Sequence, residues 1–356
     1  MEWFDVTLKV QSALGTRLSA DTLFGHLCWG IRYHQGQQAL SDFLARYEHD
    51  SSPPLLLSDP FPVDFWQMPA LPRPFKKQED QLLRILQSEE KSRLENTLPG
   101  CPAVSRIAGS KPSSVDAFDI LKWLYQLRWL PHEVLGSTIN QLAVASILNW
   151  FLTKGCGQPV MPIEEVVPHN TINRLTGTTG DVGSFFFTRQ LCIDPSRPPV
   201  FHLLAGSDCY DARQIGNLMT AGLEAGYGKY KSRGKGRVTL ESIDPITLPK
   251  AQTPNAVLLL AACVPAAEDP ADGFWKLTTK FGKLGGDWAV GPHPTGIHNP
   301  FKKPLVMLSA GAVLKTDSPR PFYGRLVDQI HPDFPEVRHY GLAPAIPVCC
   351  DFTEDV

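Results

Sequence analysis

Residues 226–237 read GYGKYKSRGKGR: four glycines, five cations, two tyrosines and no acid. Such a stretch suits few chemistries. A dinucleotide fingerprint needs G-x-G-x-x-G leaving a strand and opening a helix. Here a helical pattern comes first and a strand pattern follows, and the spacing fails. A Walker loop needs G-x-x-x-x-G-K-[ST]. Gly234-Lys235 is instead followed by Gly236, and Lys229 stands where the first glycine belongs. An extended polyanion remains. Gly226, Gly228, Gly234 and Gly236 let the backbone approach phosphates and offer N–H donors. Lys229, Lys231, Arg233, Lys235 and Arg237 supply charge, and Tyr227 and Tyr230 offer rings for unpaired bases, at about 1–3 kcal/mol per stacked base. The competing reading is a solvated basic loop. Glycine density and the lack of any acid favour RNA.

Other chemistry-bearing residues are sparser. His26, near Ser19 and Thr22, has the type of a general base in RNA cleavage, but no partner acid or base is evident. His169, Asn170, Arg174, Thr176 and Thr178 form a donor-rich set that fits either phosphate and 2′-hydroxyl contacts or a plain turn. His293, His298, His331 and His339 lack compact ligand spacing, and none of the eight cysteines forms C-x-x-C, so neither metal nor cofactor is expected.

The elements that position these residues follow from periodicity. Phe4, Val6, Leu8 and Val10 alternate as in a half-buried strand. Ser19 or Asp21 can cap a helix whose Leu23, Phe24, Leu27, Cys28 and Ile31 share a face, with Gly36 ending it. Residues 50–75 are proline-rich and irregular, 76–95 charged and helical in pattern, 100–114 loop-like, and 116–153 hold two helical segments. Residues 168–180 are polar and turn-rich, and 182–193 and 198–206 read as strands. Asp211 caps a helix with Ile215, Leu218, Met219, Gly222 and Leu223 on one stripe, and 238–243 is a strand. Strand, helix, strand, strand, helix, strand is a ferredoxin-like order. The fold class expected is therefore α+β: two ferredoxin-like (RRM-like) domains. The first, 1–245, carries an insertion at about 37–160 after its first helix. The second, 246–356, is degraded, with its clearest strands at 256–264 and 304–315 and a last one at 340–350.

Composition bounds the function. With 356 residues, 43% hydrophobic and a formal net charge of −2, the chain can bury a sizeable core and is no indiscriminate polyanion binder, although a local basic groove is compatible. The start, MEWFDVTLKV, lacks signal-peptide character, and no apolar window spans a membrane, so a reduced cytoplasmic protein is expected.

Three stretches together resemble the RAMP superfamily of CRISPR proteins: LSADTLFGHLCWGI at 18–31, HNTINRLTGTTG at 169–180 and GYGKYKSRGKGRV at 226–238. Within it they are similar to the fourth-subunit family of the Csm complex, a type III effector of antiviral defence. Asn173 stands where that signature commonly has Asp. SAGAVLK and YGLAPAIPV in the C-terminal part are also similar. The resemblance covers 1–36 and 160–348. It implies a non-catalytic subunit that holds the 5′ repeat-derived handle of the crRNA. It also implies docking to the large polymerase-like subunit and an adjacent RAMP backbone subunit, with only indirect contact to target RNA. Carried over by motif, 226–237 grips the handle, Ser19, Thr22 and His26 meet phosphate at a helix start, and His169, Asn170 and Arg174 flank the same groove. Lys111, in AGSKPSS, belongs to a projection pressing on guide or neighbour. The alternatives are a metal-independent crRNA-processing endoribonuclease using His26 or His169, and a docking module whose basic loop meets an acidic protein.

Overall fold

The computed structural model describes residues 1–49, 52–72, 83, 84, 86, 97, 98, 100–107, 112–179, 185–289 and 299–352. The chain is mixed α+β with antiparallel sheets, and it divides into two compact units, 1–55 with 160–245 and 56–159 with 246–356. The segment expected as an insertion in the first domain therefore parts company with it. Residues 37–49 stay in the first unit, whereas 56–159 fold with the C-terminal residues.

In the first unit, β1 (Glu2–Val10) lies between β4 (Val200–Ser207) and β5 (Val238–Pro245), antiparallel to both. Phe4, Val6, Leu8 and Val10 point to one face and are buried, as the period-2 alternation requires. Two helices contribute the matching stripes: α1 (Ala20–Gln35) through Leu23, Phe24, Leu27 and Ile31, and α3 (Ala212–Leu223) through Ile215, Met219 and Leu223. Fully burying each such side chain is worth about 1.5–3 kcal/mol. Asp211 opens α3 with a capping box: its carboxylate accepts from the Gln214 N–H at 2.8 Å, and the Gln214 side chain accepts from the Asp211 N–H at 3.0 Å. Gly30 and Gly222 bring α1 and α3 together. A Cβ on Gly30 would stand 2.8 Å from the Gly222 nitrogen, so larger residues would force the helices apart.

Three elements depart from expectation. Past Gly36, where the sequence pattern assigned no element, the chain forms α2 (Gln37–His49), held to α1 by a Phe24, Phe43 and Tyr47 ring cluster at 5.4–6.0 Å. Residues 168–170, read as turn, complete β2 (Ile163–Asn170). The expected second strand is β3 (Phe185–Cys192), and it pairs with β2 as a separate two-stranded ribbon. Phe185 and Phe187 on its outer face are exposed, so the ribbon does not extend the helix-covered sheet.

In the second unit, β6 (Ala256–Leu259), β8 (Val313–Lys315), β9 (Phe322–Val327) and β10 (His339–Val348) share a five-stranded sheet with the edge pair Gly273–Phe274. The strand expected over 304–315 breaks in two, because Gly311 turns at φ +91°, and its first part is β7 (Leu305–Leu308). The expected segments at 116–153 appear as helices Ser114–Gln126 and Val144–Lys154, joined by a third, His132–Thr138. Residues 102–107, read as loop, are helical. The helix expected over 76–95 lies almost wholly outside the described residues.

Candidate nucleic-acid interface

The glycine-rich stretch is built onto residues 11–19, which link β1 to α1. Past α3, Gly226 turns the chain at φ +82° and delivers Tyr227 into the core, fully buried. The Tyr227 hydroxyl accepts from the Ser19 N–H at 3.1 Å and donates to the Arg17 carbonyl at 2.7 Å. The Gly228 N–H donates to His26 Nε2 at 2.9 Å, and the Lys229 N–H to Thr16 Oγ1 at 3.2 Å. On the returning limb, the Gly236 N–H donates to the Ala13 carbonyl and the Arg237 N–H to Ser12 Oγ, both at 2.8 Å. The Tyr227 N–H closes the neck on the Gly236 carbonyl at 2.7 Å. Gly236 has φ +78°, and a Cβ there would stand 2.0 Å from the Tyr227 carbonyl oxygen, so only glycine fits.

The backbone donors expected to cradle phosphate are thus largely spent on the protein itself. The side chains are what remain. Lys229, Lys231, Arg233 and Arg237 are exposed and Lys235 is half-buried. Among the described residues none of these five is ion-paired. Lys231–Arg233 form a single 3₁₀ turn between Tyr230 and Gly234, both left-handed. Arg233 Cζ and Lys235 Nζ each sit 5.6 Å from the Tyr230 ring centroid, so that ring organises two cations.

Electrostatics at the base of the loop are set by burial. Desolvation, with Lys231 adding repulsion, pulls the His26 pKa from 6.5 to about 4. The imidazole is therefore neutral at pH 7, as its acceptor role to Gly228 requires. Burial, then the nearby Asp21, pushes the Tyr227 phenol up, so it stays a neutral donor. Asp21 Oδ1 accepts from Ser19 Oγ at 2.5 Å and from the Thr22 N–H at 2.8 Å.

The expected site residues therefore separate. Tyr227 is a core anchor and has no free face for a base. His26 is committed to the loop backbone. Ser19 and Thr22 serve Tyr227 and Asp21, and the Asp21 carboxylate stands where a phosphate was expected at the start of α1. His169 is half-buried, hydrogen-bonded to Thr188 Oγ1 at 2.7 Å and stacked on Phe186 at 5.2 Å, so it ties β2 to β3. Asn170 and Arg174 are exposed beyond it. Asn173 shapes the turn between them and Gly177: its Oδ1 accepts from the Leu175 N–H at 2.9 Å and its carbonyl accepts from the Gly177 N–H at 2.8 Å. At about 3.3 Å per residue, Asn170 lies ~20 Å along the ribbon from Glu164. Lys111 lies outside the described residues.

Sequence reasoning missed residues 11–18. This linker joins the loop to the base of the ribbon: Leu14 pairs with Leu191, and Arg17 Nη2 meets the Glu164 carboxylate at 3.0 Å. The signal was Gly15. A Cβ there would stand 2.5 Å from the Lys229 carbonyl oxygen, a close approach that a glycine between a strand and a helix advertises. No group of three or more His, Cys, Asp or Glu side chains converges among the described residues, and no helix there is long and apolar enough to cross a membrane.

No family model matches the sequence, and no curated protein does. Solved structures do match. The chain is similar to a chain in the crystal structure of the Csm1-Csm4 cassette with pppApA, at 14% identity and TM-score 0.54, covering 99% of this chain and 100% of that one. Cassette structures with AMPPNP and with cA4 match over the same shares, at 15% and 14% identity and TM-scores of 0.54 and 0.53. The likeness is one of fold, and it spans the whole chain: the fold is that of a Csm subunit, the group its motifs resemble.

Proposed function

We propose that this chain is a non-catalytic RNA-binding subunit of a type III CRISPR effector complex. In this reading it occupies the Csm4 position, holds the 5′ repeat-derived handle of the crRNA, and docks to the large polymerase-like subunit and an adjacent RAMP backbone subunit. Both units are taken as ferredoxin-like domains. The β4–β1–β5 antiparallel order with α1 and α3 behind it supports this for the first unit. The observation that carries the RNA reading is the display of five cations, none ion-paired among the described residues, on a loop whose backbone is fixed by the 11–19 linker. A pre-ordered cationic rim lowers the ordering cost of binding a flexible strand. Lys229, Lys231, Arg233, Lys235 and Arg237 hold backbone phosphates, and Asn170 and Arg174 offer a second contact farther along the ribbon.

The endoribonuclease alternative needs a free histidine base. The Nε2 lone pair of His26 already accepts the Gly228 N–H, and His169 is bonded to Thr188, so neither is poised for a 2′-hydroxyl. The test is sequencing of RNA that co-purifies with the protein expressed from its own operon. Repeat-derived 5′ ends over many spacers are expected. Protein partners without RNA would overturn the reading in favour of an acidic-protein interface. Cleavage of repeat RNA by the isolated protein, abolished in His26→Ala or His169→Ala, would replace it with the nuclease.

A further inference from the structure

One residue of the cationic loop has a backbone conformation that its type disfavours. Tyr230 has φ +65°, in the left-handed region, where a bulky side chain is an outlier. The loop's other left-handed positions, Gly226, Gly228, Gly234 and Gly236, are all glycine. Glycine or asparagine would suit position 230 better on local stability alone. Strain of this kind lasts only where the surroundings over-determine it, and it gathers at functional sites. The surroundings do so here. The Tyr230 carbonyl accepts the Arg233 N–H at 2.8 Å and the Lys235 N–H at 3.4 Å, which closes the 3₁₀ turn. The half-buried ring lies against the 11–19 linker: a Cβ on Gly15 would stand 2.7 Å from Tyr230 Cδ2.

The turn needs only a carbonyl at 230, which any residue supplies. The ring is what a tyrosine adds. Arg233 Cζ and Lys235 Nζ both stand over it, 5.6 Å from its centroid. These two cations repel each other, and among the described residues neither has an ion pair to offset that. The negative face of an aromatic ring attracts cations at this range and leaves their charge free to act. With Gly15 against it and two cations over it, the ring is committed, and a base stacking there would have to displace them. We infer that Tyr230 is a positioning residue: its ring sets Arg233 and Lys235 as a pair for the phosphates of a single RNA strand, and the left-handed strain is kept for that placement. It acts on RNA through two cations and not by stacking on a base.

This inference rests on the RNA-binding reading, and one binding experiment separates the two. The full chain and its variants are titrated with single-stranded repeat RNA at several salt concentrations. Arg233→Ala/Lys235→Ala removes both cations, Tyr230→Leu removes the ring and keeps the strain, and Tyr230→Asn removes the ring and relieves the strain. Tyr230→Leu and Tyr230→Asn are each expected to lower the slope of log K against log salt by about 0.7–1.4, the share of one or two phosphates on a single strand. Tyr230→Phe, which keeps the ring, should restore the slope. Added to Arg233→Ala/Lys235→Ala, Tyr230→Leu should change neither slope nor affinity, because its effect runs through those cations. Tyr230→Asn should melt no lower than wild type, so its weaker binding is not a loss of folding. Weaker binding at an unaltered slope, persisting without both cations, would make the ring a base platform and overturn the inference. Wild-type binding by Tyr230→Leu would overturn it too, as would a Tyr230→Asn chain that melts several degrees lower and keeps its slope, since the ring would then be purely structural. A wild-type chain that binds no repeat RNA would instead sink the RNA reading itself.

Discussion

The loop at 226–237 and the ribbon of β2, β3 and the described turn 171–179 carry the two most distinctive motifs of this chain, and they spend their polar groups in opposite ways. The loop turns its backbone inward. The N–H groups of Tyr227, Gly228, Lys229, Gly236 and Arg237 all find partners within the protein, and the cationic side chains are what the loop chiefly offers to solvent. The ribbon turns apolar side chains outward instead, with Leu175 at its turn 97% exposed and Phe185 and Phe187 uncovered beside its own ladder. A glycine-rich sequence is thus no sign of looseness here. The glycines are what allow the loop to be tightly built, while the ribbon, poor in glycine along its strands, stands apart from the sheet.

The sharpest way to break this contrast is within the loop. Gly236→Ala places a Cβ 2.0 Å from a backbone oxygen at φ +78°, whereas Gly234 has a similar φ of +76° and open space around it. Gly236→Ala is expected to cost about 4 kcal/mol or more by urea unfolding, among the largest single-residue effects. Gly234→Ala is expected to cost only the left-handed strain, about 1–2 kcal/mol. Equal costs would mean that the loop is not packed as described.

The next effect tests the lock under the loop. His26 has a native pKa of about 4 against an ordinary 6.5. Between these values the unfolded chain binds a proton that the native chain refuses, so stability rises with pH. The contribution is complete above pH 6.5 and is lost as the pH falls to about 4, on the order of 3 kcal/mol. His26→Gln keeps an acceptor for the Gly228 N–H but does not titrate. Its unfolding midpoint is expected to lose that part of the slope between pH 7 and 4.5, and an unaltered slope would assign it elsewhere. Tyr227→Phe is expected to cost about 1–3 kcal/mol, because the Ser19 N–H and the Arg17 carbonyl lose a buried partner. RNA affinity of the folded variant should not change. A loss of affinity at full folding would return Tyr227 to the interface.

What the sequence made legible follows from the range of the interactions. The β1 alternation, the α1 and α3 stripes and the Asp211 cap are local patterns, and each appears where periodicity or capping placed it. The partner of β3 was not legible. A strand pattern says which face is apolar, not which edge pairs, and Pro168 within the sequence argued for turn rather than for the β2 strand it joins. Tyr227 was misjudged for a similar reason: a tyrosine among glycines and lysines looks exposed, and only the fold brings Ser19 and Arg17 to its hydroxyl. The candidate site was legible as charge and hidden as architecture, because 11–19 and 226–237 are distant in sequence.

The smallest effect separates the loop from the ribbon as RNA contacts. Each phosphate neutralised on a single strand contributes about 0.7 to the slope of log K against log salt. Arg233 is exposed, has no ion pair among the described residues and is steadied by the Tyr230 ring, so Arg233→Ala should lower the slope by about that much, whatever the RNA sequence. Arg174 is exposed on a turn held by Asn173, near the ribbon's outer end. On a handle long enough to reach both, Arg174→Ala should lower the slope similarly. On an RNA truncated to occupy the loop alone, Arg174→Ala should have no effect while Arg233→Ala keeps its own. Filter binding at several salt concentrations with the two RNAs reads all four values. If both substitutions act on the short RNA, the outer end of the ribbon and the loop serve one compact groove, and the separation drawn between them is wrong.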